Sequence, residues 1–294
     1  MSRRFALVLV CHLVIYHRLP CSAETRGIEI ARISRGTLNF GMQKIIGGEP
    51  TIIEKYPYVV SLQENGTFFG HDFEHFCGGN IINEKWILTA AKCCYGKKPS
   101  QFHVRLGSKL YYTGGRIHEI ESIEIHPNYD EITWDYDVGL LKLRETIIFS
   151  EKVQPIRLPK ADCVLQAGSI LEIVGWGSTK LLGLPSNVLY RNSMLTINRS
   201  ECESVYSPDA LTDRMFCVLR EGHGPCIGDT GSPAVIDGVL IGVASWSQSC
   251  AYKYPTAYAR LPEMVDWIIK VTGNSSPRAN NANNNDPTLP RASH

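Results

Sequence analysis

The stretch GDTGSP, Gly228–Pro233, places two glycines and a proline around one threonine. Glycine adopts backbone conformations that other residues avoid and proline fixes its own φ angle, so this composition is typical of a tight turn. Such a turn can present a hydroxyl group for attack on a substrate, and Thr230 stands at its centre. The stretch therefore allows two interpretations: a nucleophilic threonine, or a turn without a catalytic part.

The sequence on either side of this turn predicts an all-β fold. From Ile45 onward, short β-rich runs recur between turn signals: YVVSL (58–62), HVRL (103–106), RIHEIESIEI (116–125), VGLLKL (138–143), ILEIVGW (170–176) and VLIGVASW (239–246). Many short strands without long helical stretches favour a sandwich or barrels.

One helix is indicated near the end of this region, over residues 261–271. Pro262 suits a first helical position, and apolar residues from Met264 to Val271 follow the helical spacing. Gly273 then supplies a stop.

The two ends of the chain differ in composition from the region between them. Residues 1–23 combine a basic start, an apolar run too short to span a bilayer and small residues ending at Ala23. This pattern is typical of a secretory signal peptide. Residues 24–44 are polar and lack a convincing period, and we interpret them as a pro-segment. Residues 272–294 are rich in asparagine and poor in apolar residues, which predicts a disordered tail.

Length and charge bound the class of protein. The chain has 294 residues, ample for a buried core, and its 30 Lys and Arg against 29 Asp and Glu give a net charge of +1. Such a balance gives no reason to expect a nucleic acid or an anionic membrane as partner.

The cysteines indicate an oxidising compartment. Of the ten, Cys11 and Cys21 fall inside the predicted signal peptide. The remainder form an even set that predicts a disulfide framework, although spacing alone does not fix the pairing. Three Asn-x-Ser/Thr triplets, at Asn65, Asn198 and Asn274, are candidate N-glycosylation sites of an exported protein.

The segment HDFEH (71–75) tests poorly as a metal motif. His71 and His75 would share one face of a helix, but they lie between a turn-rich stretch and the β-like run CGGNII. The glutamate also sits at the wrong place for a His-Glu-x-x-His motif. We therefore interpret the two histidines as ordinary residues of a loop.

Four stretches in order carry a family resemblance: IIGG (45–48), CGGNIINEKWILTAAKC (77–93), DYDVGLLKL (135–143) and CIGDTGSPAV (226–235). Together with SWSQSCA (245–251) they resemble the chymotrypsin-like serine proteases over residues 45–271. The resemblance implies two antiparallel six-stranded β-barrels, about 45–155 and 156–260, followed by a C-terminal helix at about 261–271. It places the site in the cleft between the barrels.

Two of the three catalytic groups of that family are replaced in this chain. The position of the general-base histidine holds Lys92, and the position of the nucleophilic serine holds Thr230. The orienting aspartate is matched by Asp137. In the nucleophile's motif the next-to-last residue, a glycine in the family, is Ser232.

The replaced groups predict a site that does not catalyse. A lysine has an ordinary pKa of about 10.4, and lowering it to 7 costs about 4–5 kcal/mol. The charge of Asp137 opposes that change. Thr230 adds a β-methyl group and lacks the chain-terminal amine that threonine nucleophiles use as base. We expect Lys92 and Asp137 to form a structural ion pair, with Thr230 as a turn hydroxyl.

By the same resemblance the specificity pocket lacks a charge and is narrowed. Gly224 occupies its floor, where an aspartate would select Lys or Arg. Ser247 and Thr256 stand on walls where glycine keeps a pocket open. Ser245 and Trp246 retain the strand that pairs with an extended peptide.

The resemblance also implies an oxyanion hole and an activation switch. The backbone N–H groups of Gly228 and Thr230 would form the oxyanion hole. Lys44–Ile45 is the cleavage point of a zymogen, and the freed amine of Ile45 would pair with Asp229.

For the cysteines the resemblance implies three bridges: Cys77–Cys93, Cys202–Cys217 and Cys226–Cys250. It leaves Cys94 and Cys163, which pair with each other or leave Cys163 for another chain. Ser108 stands where a calcium-binding glutamate would lie. We expect no metal and no cofactor.

These observations favour a secreted non-catalytic serine protease homologue that binds proteins, as cofactor, decoy or recognition protein in an extracellular protease pathway. Its expected partners are proteases or their substrates, without nucleic acid or membrane. One alternative is a weak endopeptidase that uses Thr230 with Lys92 and Asp137. Another is a carbohydrate-binding protein, for which the aromatic run LYY (110–112) gives thin support.

Overall fold

The structure, a computed structural model, describes Cys21 and residues 47–66, 72–161, 163–180, 183–250 and 254–274. Apart from Cys21, the predicted signal peptide lies outside the described residues, as does the whole pro-segment. The cleavage point Lys44–Ile45, His71 and most of the predicted tail also lie outside them. None of the described helices is long and apolar enough to cross a membrane.

Thirteen strands form most of the regular secondary structure of the described chain. The first seven are β1 (Glu49–Pro50), β2 (Val59–Asn65), β3 (Phe73–Ile81), β4 (Trp86–Thr89), β5 (Phe102–Leu106), β6 (Arg116–Ile125) and β7 (Gly139–Leu143). The other six are β8 (Ile170–Gly175), β9 (Tyr190–Thr196), β10 (Met215–Leu219), β11 (Pro233–Ile236), β12 (Val239–Trp246) and β13 (Thr256–Arg260). Three α-helices complete the main elements: α1 (Ala91–Cys94), α2 (Arg199–Val205) and α3 (Val265–Thr272).

The strands form two closed antiparallel barrels, which confirms the predicted fold class. The first closes in the order β2-β3-β4-β7-β6-β5. In the second, β8 pairs with both β9 and β11, so that the ring β8-β9-β10-β13-β12-β11 is complete. The short strand β1 joins the outside of this ring through β9. Closure removes the exposed strand edges that an open sheet would present.

Each barrel is filled by the side chains that its strands turn inward. Leu62, Val104 and Leu141 belong to the core of the first barrel. Leu171 and Tyr258 belong to the core of the second. Alternating strands such as β6 bury mainly one face, because successive side chains of a strand point to opposite sides.

The C-terminal helix lies close to its predicted place. A single 3₁₀ turn, Leu261–Glu263, precedes α3, and Gly273 ends the helix at a φ of 69°, in the left-handed region that favours glycine. Ile268 packs into a cluster with Leu140 of the first barrel and Val235 of the second. The helix therefore helps to hold the two barrels together and fixes the cleft between them.

Three disulfides confirm the pairing that the resemblance implies: Cys77–Cys93, Cys202–Cys217 and Cys226–Cys250. A fourth joins Cys163 to Cys21. The sequence analysis had left Cys21 out of the framework and had considered only Cys94 or another chain as partner of Cys163. It missed this bridge because the two cysteines lie 142 residues apart and Cys21 sits beside the predicted signal cleavage site.

Cys94 is a free thiol within the first barrel. It is almost fully buried, and burial raises its pKa to about 12. A thiol reacts as the thiolate. We therefore expect iodoacetamide at mildly alkaline pH to modify Cys94 at least about 10³-fold more slowly in the native chain than after denaturation. Peptide mass spectrometry measures this, and rapid labelling of Cys94 in the folded protein would contradict the structure.

Candidate functional site

Lys92 lies at the mouth of the cleft, on the one-turn helix α1 that follows β4. Its Nζ sits 4.8 Å from the centre of the Trp134 ring, a cation–π contact. It forms no ion pair with Asp137, although both residues belong to the described ranges, so the predicted structural ion pair is wrong. The ammonium has a partner of a different kind, an exposed aromatic face at the rim of the cleft.

The carboxylate of Asp137 has other partners, which explains the missing ion pair. It accepts the backbone N–H of Lys92 at 2.9 Å and the hydroxyl of Ser245 at 2.6 Å. Burial raises the pKa of Asp137, and these hydrogen bonds oppose that rise. The aspartate thus ties α1 to β12 beneath the cleft and has no need of the ammonium as a partner.

Burial also changes the electrostatics of Lys92. Desolvation lowers the pKa of its ammonium, and the charge of Asp137 opposes that effect without cancelling it. From the sequence we expected the charge of Asp137 to outweigh desolvation in setting the pKa of Lys92. In the structure desolvation is the larger of the two effects. A lowered pKa favours a lysine acting as base, but Lys92 Nζ and Thr230 Oγ1 are not hydrogen-bonded, so the transfer that a base would perform lacks its contact.

The turn around Thr230 is held by backbone hydrogen bonds. The N–H of Asp229 donates to the carbonyl of Cys226 at 2.9 Å, and that of Ser232 donates to Asp229 at 2.9 Å. Gly231 has a φ of 81°, and a Cβ there would lie 2.4 Å from the carbonyl oxygen of Gly78. Only glycine fits this position, because the turn packs against the first barrel.

The two predicted oxyanion donors are unpaired in the part of the chain that the structure describes. Neither the N–H of Gly228 nor that of Thr230 has an acceptor there, and Gly228 is buried. The carbonyl of Ile227 accepts the N–H of Ser178 at 2.7 Å. Because the C=O and N–H of a trans peptide point in opposite directions, this bond turns the Gly228 N–H away from Ser178. Buried donors of this kind require a partner.

His75 supports the same turn, and the sequence analysis missed that role. It lies in β3 rather than in a loop, and it is buried. Its Nε2–H donates to the carbonyl of Gly228 at 2.9 Å, while Nδ1 accepts the hydroxyl of Ser61 at 2.7 Å. Burial lowers the pKa of His75 to about 4. The β-like run CGGNII just after it was the signal that could have placed it on a strand.

A cavity of about 370 Å³ opens beside Thr230. Four of the five residues predicted for a specificity pocket line it: Ser245, Trp246, Ser247 and Thr256. Gly224, the predicted floor, is not among its lining residues. Among the described residues, Lys92 at the mouth is the one charged side chain that lines this cavity. Ser247 and Thr256 do place side chains in the lining.

The loop that carries Trp134 is fixed across the two barrels. Asp135 forms an ion pair with Arg214 of the second barrel, 2.5 Å between oxygen and nitrogen, and also accepts the hydroxyl of Thr212 at 2.6 Å. Trp134 and Tyr136 on either side adopt φ angles of 56° and 52°, which are uncommon for residues other than glycine. The unusual backbone angles and the ion pair together hold the Trp134 ring beneath the ammonium of Lys92.

Asp229, the predicted partner of a freed amine, is buried behind the turn. Its carboxylate accepts the N–H of Gly177 at 2.8 Å and that of Cys226 at 3.0 Å. Burial raises its pKa to about 6, and these hydrogen bonds only partly offset that effect. Ile45 lies outside the described residues.

The three candidate glycosylation sites differ in accessibility. Asn198 is exposed at the start of α2, and Asn65 is exposed at the end of β2. The side-chain nitrogen of Asn274 donates to the carbonyl of Ile82 at 3.1 Å, and its oxygen accepts from Asn83. The nitrogen that a glycan would occupy is therefore engaged at Asn274.

Within the described ranges, no three His, Cys, Asp or Glu side chains are arranged to hold a metal ion. His71 of the tested motif is not among those residues.

Comparison with known proteins places the chain in a family. The family model described as Trypsin matches residues 45–268. Trypsin 5G1 of Aedes aegypti is 38% identical over 234 residues, which are 78% of this chain and 85% of that protein. A trypsin of Phaedon cochleariae is 36% identical over 235 residues, 78% of this chain and 88% of that protein. The chain belongs to the trypsin family of serine proteases.

A solved structure adds a neighbour of a different kind. The crystal structure of the scabies mite inactivated protease paralogue S-D1 aligns with a TM-score of 0.68 and 28% sequence identity. The alignment covers 78% of this chain and 98% of that one. The same fold thus occurs both in trypsins and in an inactivated protease paralogue.

Proposed function

We propose that this chain is a secreted, non-catalytic member of the trypsin family that binds an extended segment of a protein partner in its cleft. The observation that carries the proposal is the position of Lys92. Its ammonium stacks on Trp134 and makes no hydrogen bond to Thr230, so the nucleophile position has no base in contact. The inactivated paralogue among its structural neighbours supports the proposal.

The chemistry of the two replaced groups supports inactivity as well. In a serine protease, removal of the histidine or the serine alone lowers kcat by roughly 10⁶-fold. Here both are replaced, and Thr230 adds a methyl group next to its hydroxyl. The groups that remain are those that bind or orient a peptide: the two N–H donors, the pocket and Asp137.

The cleft keeps the features that a bound peptide would use. The strand β11 begins at Pro233, opposite Val243, so Ser245 and Trp246 of β12 extend beyond it. An extended peptide can add to a strand in such a place through backbone hydrogen bonds. The neighbouring cavity would receive one uncharged side chain.

We place this binding in an extracellular protease pathway. Four disulfides require an oxidising compartment, and the relatives named above are trypsins. The partners are then proteases or their protein substrates. Cleavage after Lys44 would free the amine of Ile45 as a counter-ion for Asp229, whose raised pKa reflects a buried carboxylate without a cation among the described residues.

A peptide-hydrolysis assay tests the proposal. We expect neither the full chain nor a form that begins at Ile45 to hydrolyse a broad substrate library faster than the matched Thr230→Ala variant. The variant is the control because a contaminating protease would act equally in both preparations. Turnover that Thr230→Ala abolishes would contradict the proposal.

The rival function, a slow hydrolase that uses Thr230 and Lys92, has one observation in its favour, the lowered pKa of Lys92. The same assay separates the two. If Lys92 were the base, Lys92→Met would abolish the turnover along with Thr230→Ala.

A further inference from the structure

We propose that the cleft recognises a free peptide C-terminus, with the terminal carboxylate held between Lys92 and the N–H groups of Gly228 and Thr230. This inference rests on the proposed function and names the ligand of that same cleft. It assigns a binding role to the residue that replaces the general base.

Lys92 supplies the cation of the proposed site. Among the described residues it is the one charged side chain that lines the cavity, and no carboxylate of those residues forms an ion pair with it. Its contact is the face of Trp134, which leaves the ammonium's N–H donors for a ligand. An ammonium that is partly buried and lacks an anionic partner is stabilised by a carboxylate that enters the cleft.

Two backbone N–H groups of the turn are available as hydrogen-bond donors. The N–H groups of Gly228 and Thr230 have no acceptor in the described chain, and the bonds made by their own peptide carbonyls keep them in place. The carbonyl of Ile227, which precedes Gly228, accepts the N–H of Ser178. The carbonyl of Asp229, which precedes Thr230, accepts the N–H of Ser232. Thr230 lines the same cavity as Lys92, and Gly228 belongs to the same turn, so fixed backbone donors and a cation are available to one oxyanion.

The negative charge of Asp137 would repel an entering carboxylate. That charge is buried, and the N–H of Lys92 and the hydroxyl of Ser245 donate to it. Burial also raises its pKa, so its environment disfavours the charged form. Asp137 therefore weakens the anion site without occupying or closing it.

The cleft favours a terminal carboxylate over the side-chain carboxylate of an internal Asp or Glu. Ser245 and Trp246 extend beyond β11 and offer pairing to the backbone that precedes the bound residue. The uncharged cavity lies beside Thr230 and would take the side chain of that residue. A C-terminal residue can use all three features at once. Its backbone pairs with the strand edge, its side chain enters the cavity, and its carboxylate accepts hydrogen bonds from the oxyanion donors. An internal acidic residue would put its charge into the cavity, where Lys92 at the mouth is the only cation of the described lining.

The test compares peptide acids with peptide amides. Short labelled peptides ending in Ala, Val, Leu or Phe are prepared in both forms, and fluorescence anisotropy measures their binding to the full chain. A third set carries an internal Asp or Glu and an amidated end. Charge-assisted hydrogen bonds lead us to expect at least one peptide whose acid binds about tenfold or more tightly than its amide.

Two variants separate the role of Lys92 from a general effect of charge. Lys92→Gln should bring the affinity of the acid to within about threefold of that of the amide. Lys97→Gln serves as the control, because Lys97 pairs with Glu64 and does not line the cavity. It should leave the preference for the acid unchanged.

The outcomes distinguish this inference from the proposed function. Equal binding of acids and amides, or a preference for internal acidic residues, overturns the carboxylate site and leaves peptide binding in place. Binding of no peptide in any form overturns both. A preference for acids that survives Lys92→Gln overturns the assignment of Lys92.

Discussion

Restoring both lost groups, by Lys92→His together with Thr230→Ser, is expected to raise kcat/KM for peptide hydrolysis on the order of 10³-fold or more above that of the native chain. Asp137 is in place to orient a histidine at position 92, since its carboxylate already accepts the backbone N–H of that residue at 2.9 Å. The two N–H donors of the turn are free to stabilise a tetrahedral intermediate. The measurement is turnover of a peptide library by the form that begins at Ile45.

The single variants are the controls for this experiment. Lys92→His alone keeps the threonine, and Thr230→Ser alone keeps the lysine. Because a nucleophile and its base act as a unit, each single variant should stay close to the native background. An inactive double variant that still folds would show that the cleft itself, with Ser232 in the turn and side chains on the pocket walls, has also lost the geometry that catalysis needs.

Acidification is expected to remove about 3 kcal/mol of stability through His75 alone. Burial lowers the pKa of this histidine from 6.5 to about 4, so the folded chain holds it neutral where the unfolded chain would protonate it. Its contribution is fully present above pH 6.5 and is lost as the pH falls to about 4. Denaturant unfolding of the native chain and of His75→Gln at pH 7 and pH 4 measures the difference.

The comparison with His75→Gln is needed because other buried groups titrate in the same range. Asp229, with a pKa raised to about 6, contributes in the opposite direction, and its stabilising effect is lost as the pH rises. His103, with a pKa lowered to about 4, contributes in the same direction as His75. Both remain in the variant, so they cancel in the difference. A difference that does not change with pH would contradict a neutral, buried His75.

Local patterns were sufficient to predict an all-β fold, and the family resemblance supplied the two barrels. The run RIHEIESIEI coincides with β6, Arg116–Ile125, because alternating residues face the core and the solvent in turn. Gly231 marks a turn that packs too closely on the first barrel for any Cβ. Three bridges followed from the family resemblance, since they are local to the motifs that carry it.

The details of the site could not be predicted in the same way, because they depend on three-dimensional competition for partners. The sequence placed Lys92 and Asp137 at related positions but could not show that Ser245 and a backbone N–H already satisfy the carboxylate. It could not show that Trp134 lies under the ammonium, since that loop is fixed by a pair with Arg214, 79 residues away along the chain. The contact between His75 and Gly228 spans 153 residues and carries no local signal.

The bridge between Cys21 and Cys163 has a consequence for how the protein is processed. A leader removed after Ala23 would take Cys21 with it, so in a chain that keeps the bridge any cleaved leader would have to end before residue 21. A later cut after Lys44 would then divide the protein into two polypeptides that stay covalently joined. Such a product would migrate as one species in a non-reducing gel and as two after reduction, and its short chain would remain attached to the second barrel, available to a partner after cleavage.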